Sequence, residues 1–314
     1  MKILIAPLNW GLGHATRCIP LIRRCLNKGA EVVLGGTGES LQLLREYFPE
    51  LTTVELAPLN LHYSKGKSQI GAMVSAIPQV LRFARQNRER VKRVVDEMGI
   101  ELIFSDNCFG VYSPLCENVY ITHQLHICLP KGWKWLEPLA SWIHARLYKN
   151  YEQIWVPDYE SSEILSGILG HPKKLDERVQ YVGPLSRFNK GERLAVSGER
   201  YDVVAVLSGL EPQRSIFEQE IVNRYTDSDK RVLIVRGKIS EPNVPVTHDN
   251  ITLVPSLDDE ILQNVLYGAE LIIARSGYST IMDLWALGLL GKAELHPTPG
   301  QSEQEYLAQL HQHS

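Results

Sequence analysis

Residues 270–283 read Glu270-Leu-Ile-Ile-Ala-Arg275-Ser-Gly-Tyr-Ser-Thr280-Ile-Met-Asp283. An apolar run, then small residues, then a helical pattern predicts a strand, a tight turn and a helix. Such a turn gathers backbone N–H groups, hydroxyls and a helix N-terminus around one point. That is a site for an anion, most often a phosphate. Asp283 falls one turn into the helix, where a carboxylate can accept from a sugar diol. A nucleotide or nucleotide-sugar is the first ligand to consider.

Working outward, the same alternation fills most of the chain. Strand-like runs are Lys2–Pro7, Glu31–Gly35, Thr53–Ala57, Glu101–Ser105, Val119–Thr122, Gln153–Val156 and Gln180–Val182. Helical stretches at Ala15–Lys28, Leu41–Phe48, Ile70–Met98 and Leu136–Tyr148 separate them. A non-periodic stretch near residues 184–200 reads as a linker. Strands resume at Val203–Leu207, Arg231–Val235, Ile251–Val254, Leu271–Ala274 and Lys292–Leu295. Alternating strands and helices imply parallel sheets covered on both faces. The expected fold is α/β, with two Rossmann-like parallel-sheet domains, residues 1–187 and 199–314, facing a cleft.

Bulk properties agree. A length of 314 residues suggests about two domains. Hydrophobic content of 44% and charged content of 22% are ordinary for a globular enzyme. A net charge of −3 carries no basic excess, so a nucleic-acid partner is not favoured. Cys18, Cys25, Cys108, Cys116 and Cys128 form no C-x-x-C pair and are odd in number, which suits reduced thiols of a cytoplasmic chain. Met1–Pro7 is too short for a signal peptide, and no run approaches the roughly 18 apolar residues of a membrane span.

Three further turns carry chemistry. The loop Asn9-Trp-Gly-Leu-Gly-His-Ala-Thr-Arg17 follows the first strand and opens a helix. Ligands bind at such carboxyl ends of parallel strands. Gly11 and Gly13 let a ligand approach the backbone. Thr16 replaces the third glycine of a dinucleotide fingerprint, so NAD is not supported. His14 at a helix N-terminus tends to stay neutral and can serve as a general base, or it caps and packs. Asp106, at the end of Glu101–Ser105, is a second candidate base. His123 and His126 line the acceptor side or merely pack.

The turn Ser208-Gly-Leu-Glu-Pro-Gln-Arg214 follows Val203–Leu207. It offers N–H groups at Ser208 and Gly209, Pro212 as a first helical residue, and Arg214 within reach of a phosphate. In Pro297-Thr-Pro-Gly-Gln-Ser-Glu-Gln-Glu305, Ser302 and Glu305 have capping-box spacing, while Gln301, Glu303 and Gln304 suit sugar hydroxyls.

With these turns in order, the chain resembles glycosyltransferase family 28 of the GT-B enzymes. That family includes the transferase adding N-acetylglucosamine to a lipid-linked peptidoglycan intermediate. The likeness is carried by Val254–Glu260, Ala269–Asp283 and Pro297–Ala308. It implies that the loop at Ser256–Leu257 holds the nucleobase and that Ser276, Gly277, Ser279 and Thr280 hold the diphosphate. By the same resemblance Asp283 holds the ribose, Gln304 the donor sugar, and Ser208–Arg214 the other phosphate loop. Gly11–His14 resembles the family's glycine-histidine loop beside the acceptor. Two departures stand out. Asp283 is one methylene shorter than the usual glutamate, and the 11–14 loop is less glycine-rich. The family continues beyond the point matching Ser314, so the second domain is expected to be shortened.

The expected function is transfer of a sugar from a nucleotide diphosphate sugar, UDP-linked, to an acceptor hydroxyl. Arg275 or Arg214 and backbone N–H groups would stabilise the leaving diphosphate. No D-x-D ends a strand and no His/Cys/Asp cluster has metal-ligand spacing, so neither metal nor cofactor is expected. A nucleotide-sugar epimerase and a non-catalytic nucleotide-sugar-binding protein are the alternatives. Trp133, Trp135 and Trp142 interleave with Lys131, Lys134 and Arg146 ahead of and along a helix. They either cover the sheet or line the cleft, or they touch a membrane, at its inner face, or a lipid-linked acceptor.

Overall fold

The computed structural model describes residues 1–59, 69–191 and 199–312. Residues 192–198 of the expected linker lie outside the described residues. Two compact units emerge: Met1–Asn9 with His14–Leu185, and Trp10–Gly13 with Ser186–Ser314.

In the first unit, strands β1 (Lys2–Pro7), β2 (Glu31–Gly36), β3 (Thr52–Glu55), β4 (Leu102–Asp106), β5 (Glu117–Ile121), β6 (Gln153–Val156) and β7 (Val179–Tyr181) alternate with helices. The helices are α1 (Gly13–Asn27), α2 (Gly38–Tyr47), α3 (Gln69–Met98) and α4 (Glu137–Leu147). The strands form one parallel sheet in the order β3-β2-β1-β4-β5-β6-β7. Its central strands are continuous apolar runs because helices cover both faces. Ile3, Leu4, Ile5, Ile103 and Phe104 are all buried. A satellite cluster of rings lies under α4, where Tyr120 stacks on Tyr148 at 5.0 Å.

The second unit holds β8 (Val203–Val206), α5 (Gln213–Tyr225), β9 (Val232–Val235), β10 (Val246–His248), β11 (Ile251–Val254) and α6 (Asp259–Gly268). It continues through β12 (Leu271–Arg275), α7 (Tyr278–Leu287), β13 (Ala293–His296) and α8 (Ser302–His311). The sheet order is β10-β11-β9-β8-β12-β13. Its core joins Val203, Ala205 and Ile234 of the sheet to Phe217 and Ile221 of α5.

Every strand expected from the sequence forms, with ends shifted by a residue or two. One expectation needs correcting. The second sheet is not wholly parallel, because β10 pairs antiparallel with β11. Val246–His248 is a short exposed edge strand with no buried face, so it gives no apolar signal.

Both sheets start at an inner strand and grow to either side. β1 pairs with β2 and β4, and β8 pairs with β9 and β12. The β1/β4 and β8/β12 boundaries are therefore the topological switch points, where crevices open at strand carboxyl ends. Two backbone positions in these units require glycine. Gly110 has φ +82°, and a Cβ there would lie 2.0 Å from the Ala84 carbonyl oxygen of α3. Gly288 closes α7 at φ 69°, its N–H reaching the Leu284 and Trp285 carbonyls.

Candidate functional site

At the β1/β4 switch point four side chains converge. His14 stands in the first turn of α1, Arg17 one turn on, Asp106 ends β4 and His123 follows β5. His14 Nδ1 lies 2.7 Å from Asp106 Oδ1. Arg17 donates to both Asp106 oxygens through Nε and Nη2. Its Nη1 donates to His123 Nδ1 at 3.1 Å. Arg17 and Asp106 are almost wholly buried, whereas the His14 side chain keeps 14% of its surface.

The charge on Asp106 favours one tautomer of His14. Burial alone would raise the Asp106 pKa, but Arg17 and His14 outweigh it and hold the carboxyl at about 2. Asp106 is thus an ionised acceptor. A lone pair on His14 Nδ1 facing it at 2.7 Å would be repelled, which favours the proton on Nδ1 and the lone pair on Nε2. Arg17 Nη2, which donates one N–H to Asp106, also lies 2.9 Å from the same nitrogen. Burial first, and then the Arg17 charge, lower the His14 pKa, while Asp106 opposes them. The ring is neutral at pH 7, as a proton acceptor must be.

At the β8/β12 switch point two turns meet. Gly209 adopts φ +97° just after β8, with open space beside it, and Ser208 is half-buried. After β12 comes buried Ser276, whose Oγ donates to the Gln304 carbonyl at 2.8 Å. Gly277 is the N-cap of α7 in extended conformation. The N–H groups opening α7 have no carbonyl one turn earlier within the helix. Residues 10–13 group with this unit. Ser279 Oγ donates to the Gly13 carbonyl at 2.8 Å, and a Cβ on Gly11, at φ +71°, would sit 3.5 Å from Gly209 Cα. Thr280 is half-buried on the same turn of α7, and Leu257 is half-buried in the loop after β11.

The arginines read as phosphate ligands have other partners. Arg275 is buried and donates to the Pro297 and Gln213 carbonyls at 3.0 and 3.2 Å, with the Phe217 ring 3.9 Å beneath it. It braces the end of β12 against the loop after β13 and the start of α5. Arg214 donates to Glu211 and to the Gly237 carbonyl. Asp283 accepts from Ser186 Oγ at 2.7 Å and Arg187 Nε at 3.3 Å. Burial raises its pKa against the pull of Arg187.

Two helix starts also differ from expectation. Pro212 occupies the N-cap of α5 rather than its first turn. The Ser302–Glu305 capping box does not form: Gln301 is the N-cap of α8, without a side-chain cap. Gln304 instead turns its Oε1 back to accept from the Thr298 N–H at 2.8 Å, closing the 298–304 turn on itself. Gln301 and Glu303 are half-buried beside it.

No family model matches the chain. A Methanosarcina acetivorans protein named as an uncharacterized glycosyltransferase is 23% identical, covering 97% of this chain and 82% of its own length. UGT2 of Phytolacca americana, complexed with UDP-2-fluoro-glucose and pterostilbene, aligns at TM-score 0.56 with 14% identity, over 98% of this chain and 82% of that one. A Listeria monocytogenes structure described as a UDP-N-acetylglucosamine 2-epimerase aligns at TM-score 0.54 with 13% identity, over 99% and 87%. The chain has a GT-B-type α/β fold.

Some participants escaped the sequence reading. Arg17 was visible in the first loop, one helical turn from His14, yet only the fold brings Asp106 to it. Ser186 and Arg187 looked like linker. His126 pairs with Glu137 at 3.2 Å, and those two with Cys128 place one possible ligand atom each within 4.8 Å of one another. No helix among the described residues is long and apolar enough to cross a membrane. Trp133, Trp135 and Trp142 do not cover the sheet: they are 44%, 74% and 55% exposed.

Proposed function

We propose that this chain is a glycosyltransferase moving a sugar from a nucleotide diphosphate sugar, UDP-linked, to an acceptor hydroxyl. The observation that carries the reading is the His14–Asp106 pair at a strand switch point, with a neutral ring whose Nε2 lone pair is left for a proton. The similarity to a protein named as a glycosyltransferase, and the UDP-sugar held by one protein of like fold, support it. The further assignment to family 28 rests on the Val254–Glu260 and Ala269–Asp283 runs.

In this mechanism His14 Nε2 takes the acceptor hydroxyl proton as the hydroxyl oxygen attacks the anomeric carbon. Asp106 holds the ring in the productive tautomer and stabilises the imidazolium that forms. The bond from the anomeric carbon to the diphosphate oxygen breaks. The leaving charge falls on the backbone N–H groups opening α7 and on the turn at Ser208 and Gly209. Arg275 acts by bracing the end of β12 against the loop after β13 and the start of α5, and Asp283 by anchoring α7 to Arg187. No metal or cofactor enters the transfer. The exposed tryptophans with Lys131, Lys134 and Arg146 suit contact with a membrane surface carrying a lipid-linked acceptor.

The epimerase reading is favoured by one alignment, to the Listeria structure. UDP binding should stabilise the fold by RT ln(1 + [L]/Kd), about 2.7 kcal/mol at a hundredfold excess over Kd. A melting temperature unmoved by any nucleoside diphosphate counts against both readings. NMR of products from UDP-sugar alone separates them: a 2-epimer means epimerase, and a glycosylated acceptor with free UDP means transferase.

A further inference from the structure

We propose that His126, Cys128 and Glu137 form a zinc-class metal site in the first unit, with three protein ligands and an open fourth position. One ligand atom from each lies within 4.8 Å of the other two, and all three residues are half-buried. His126 Nε2 and Glu137 Oε2 are 3.2 Å apart. A tetrahedral ion with bonds of about 2.0–2.3 Å spaces its ligands about 3.3–3.7 Å apart. Closing these three onto an ion takes a shift of about 1 Å.

The surroundings hold the ligands in place before any ion arrives. Glu137 Oε1 accepts from the Leu129 N–H at 3.0 Å, the outer bond that orients a ligating carboxylate. The amides of Leu125 and His126 both donate to the Leu169 carbonyl, at 2.8 and 2.9 Å. The amide of Ile127 donates to Ser141 Oγ at 2.9 Å. Glu137 is the first residue of α4.

One nitrogen, one sulfur and one oxygen ligand suit Zn²⁺ or Co²⁺ over Mg²⁺ or Ca²⁺. A thiolate and a carboxylate balance the dication, and the Cys128 thiol proton leaves to the buffer on binding. The ion would fasten the loop after β5 to the start of α4. Between these points runs the 3-10 turn Lys131–Leu136, which presents Trp133 and Trp135. The site shares no residue with the His14–Asp106 pair.

Titration of the full reduced chain with Co²⁺ tests this. A thiolate-to-cobalt charge-transfer band should saturate at one equivalent and vanish when Zn²⁺ is added. Cys128→Ser should abolish the band, while Cys116→Ser keeps it. His126→Ala and Glu137→Gln should each weaken binding by about tenfold or more, through loss of one ligand in three. Zn²⁺ should raise the melting temperature of the wild type and leave that of Cys128→Ser unmoved. Metal-free melts of every variant report folding separately. No band at one equivalent, a band that survives Cys128→Ser in a folded protein, or a cobalt affinity unchanged by Glu137→Gln and His126→Ala overturns the site.

Discussion

His14 Nδ1 and Asp106 Oδ1 meet at 2.7 Å although 92 positions separate them in the chain. The meeting follows from topology. β1 and β4 are neighbours, Pro7 registers with Asp106, and the helix after β1 begins beside the end of β4. Arg17, one helical turn beyond His14, neutralises Asp106 and keeps it ionised inside the fold.

The pair makes the protein acid-sensitive in two windows. The folded pKa of Asp106 is depressed to about 2 from an ordinary 3.8. Its contribution, about 2 kcal/mol, is present above pH 3.8 and is lost as pH falls toward 2. The folded pKa of His14 is lowered from 6.5, so the unfolded chain binds the proton first. Stability should therefore begin to fall as pH drops below 6.5. Transfer should fall on the same acidic side, with its midpoint below 6.5. Urea midpoints followed from pH 8 to 2 and kcat/KM followed from pH 8 to 4 check these, and an acidic limb of kcat/KM centred above 6.5 contradicts them.

Arg17 and Asp106 should prove costly to separate. Asp106→Leu leaves a buried guanidinium without its counter-charge, and Arg17→Met leaves a buried carboxylate. Each should cost about 3–5 kcal/mol. The double variant Arg17→Met with Asp106→Leu should recover a large part of that loss, because well-packed apolar replacement of a buried pair is often close to neutral. Chemical denaturation of the four proteins measures the coupling. Additive losses would mean that the pair does not act as a unit.

Gly110 and Gly29 separate backbone strain from collision. Both have positive φ, +82° and +76°. A methyl on Gly29 meets open space, so Gly29→Ala should cost about 1–2 kcal/mol. On Gly110 it meets the Ala84 carbonyl at 2.0 Å, so Gly110→Ala should cost more than about 4 kcal/mol or prevent folding. Thermal melts of the two variants decide it; equal losses would show that the loop yields freely.

Asp283 is an anchor for α7 in this fold. Asp283→Ala removes the acceptor of Ser186 and Arg187 and should lower stability by about 1–3 kcal/mol. Ser186→Ala should lower it less. A variant that melts like wild type while losing UDP affinity would assign the carboxylate to the ribose alone.

The exposed tryptophans of the 131–146 segment are predicted to be neutral for folding. Trp133→Ala with Trp135→Ala should shift stability by less than about 0.5 kcal/mol. Co-sedimentation with vesicles containing anionic lipid should fall severalfold. Binding that does not change removes the membrane reading.

Much of this protein is legible as sequence. Alternation of apolar runs with 3.6-residue periodicity sets the α/β class, because parallel strands buried on both faces must be apolar throughout. The turn Arg275–Thr280 marks a strand end and helix start by its small residues alone. Local pattern carries no information on pairing across a sheet, and there tertiary structure decided. It placed Asp106 against His14, brought Glu137 and Cys128 to His126, and turned Arg275 and Arg214 inward to carbonyl groups. Those outcomes depend on which strands become neighbours and on which carbonyls need donors, and only the packed chain sets both.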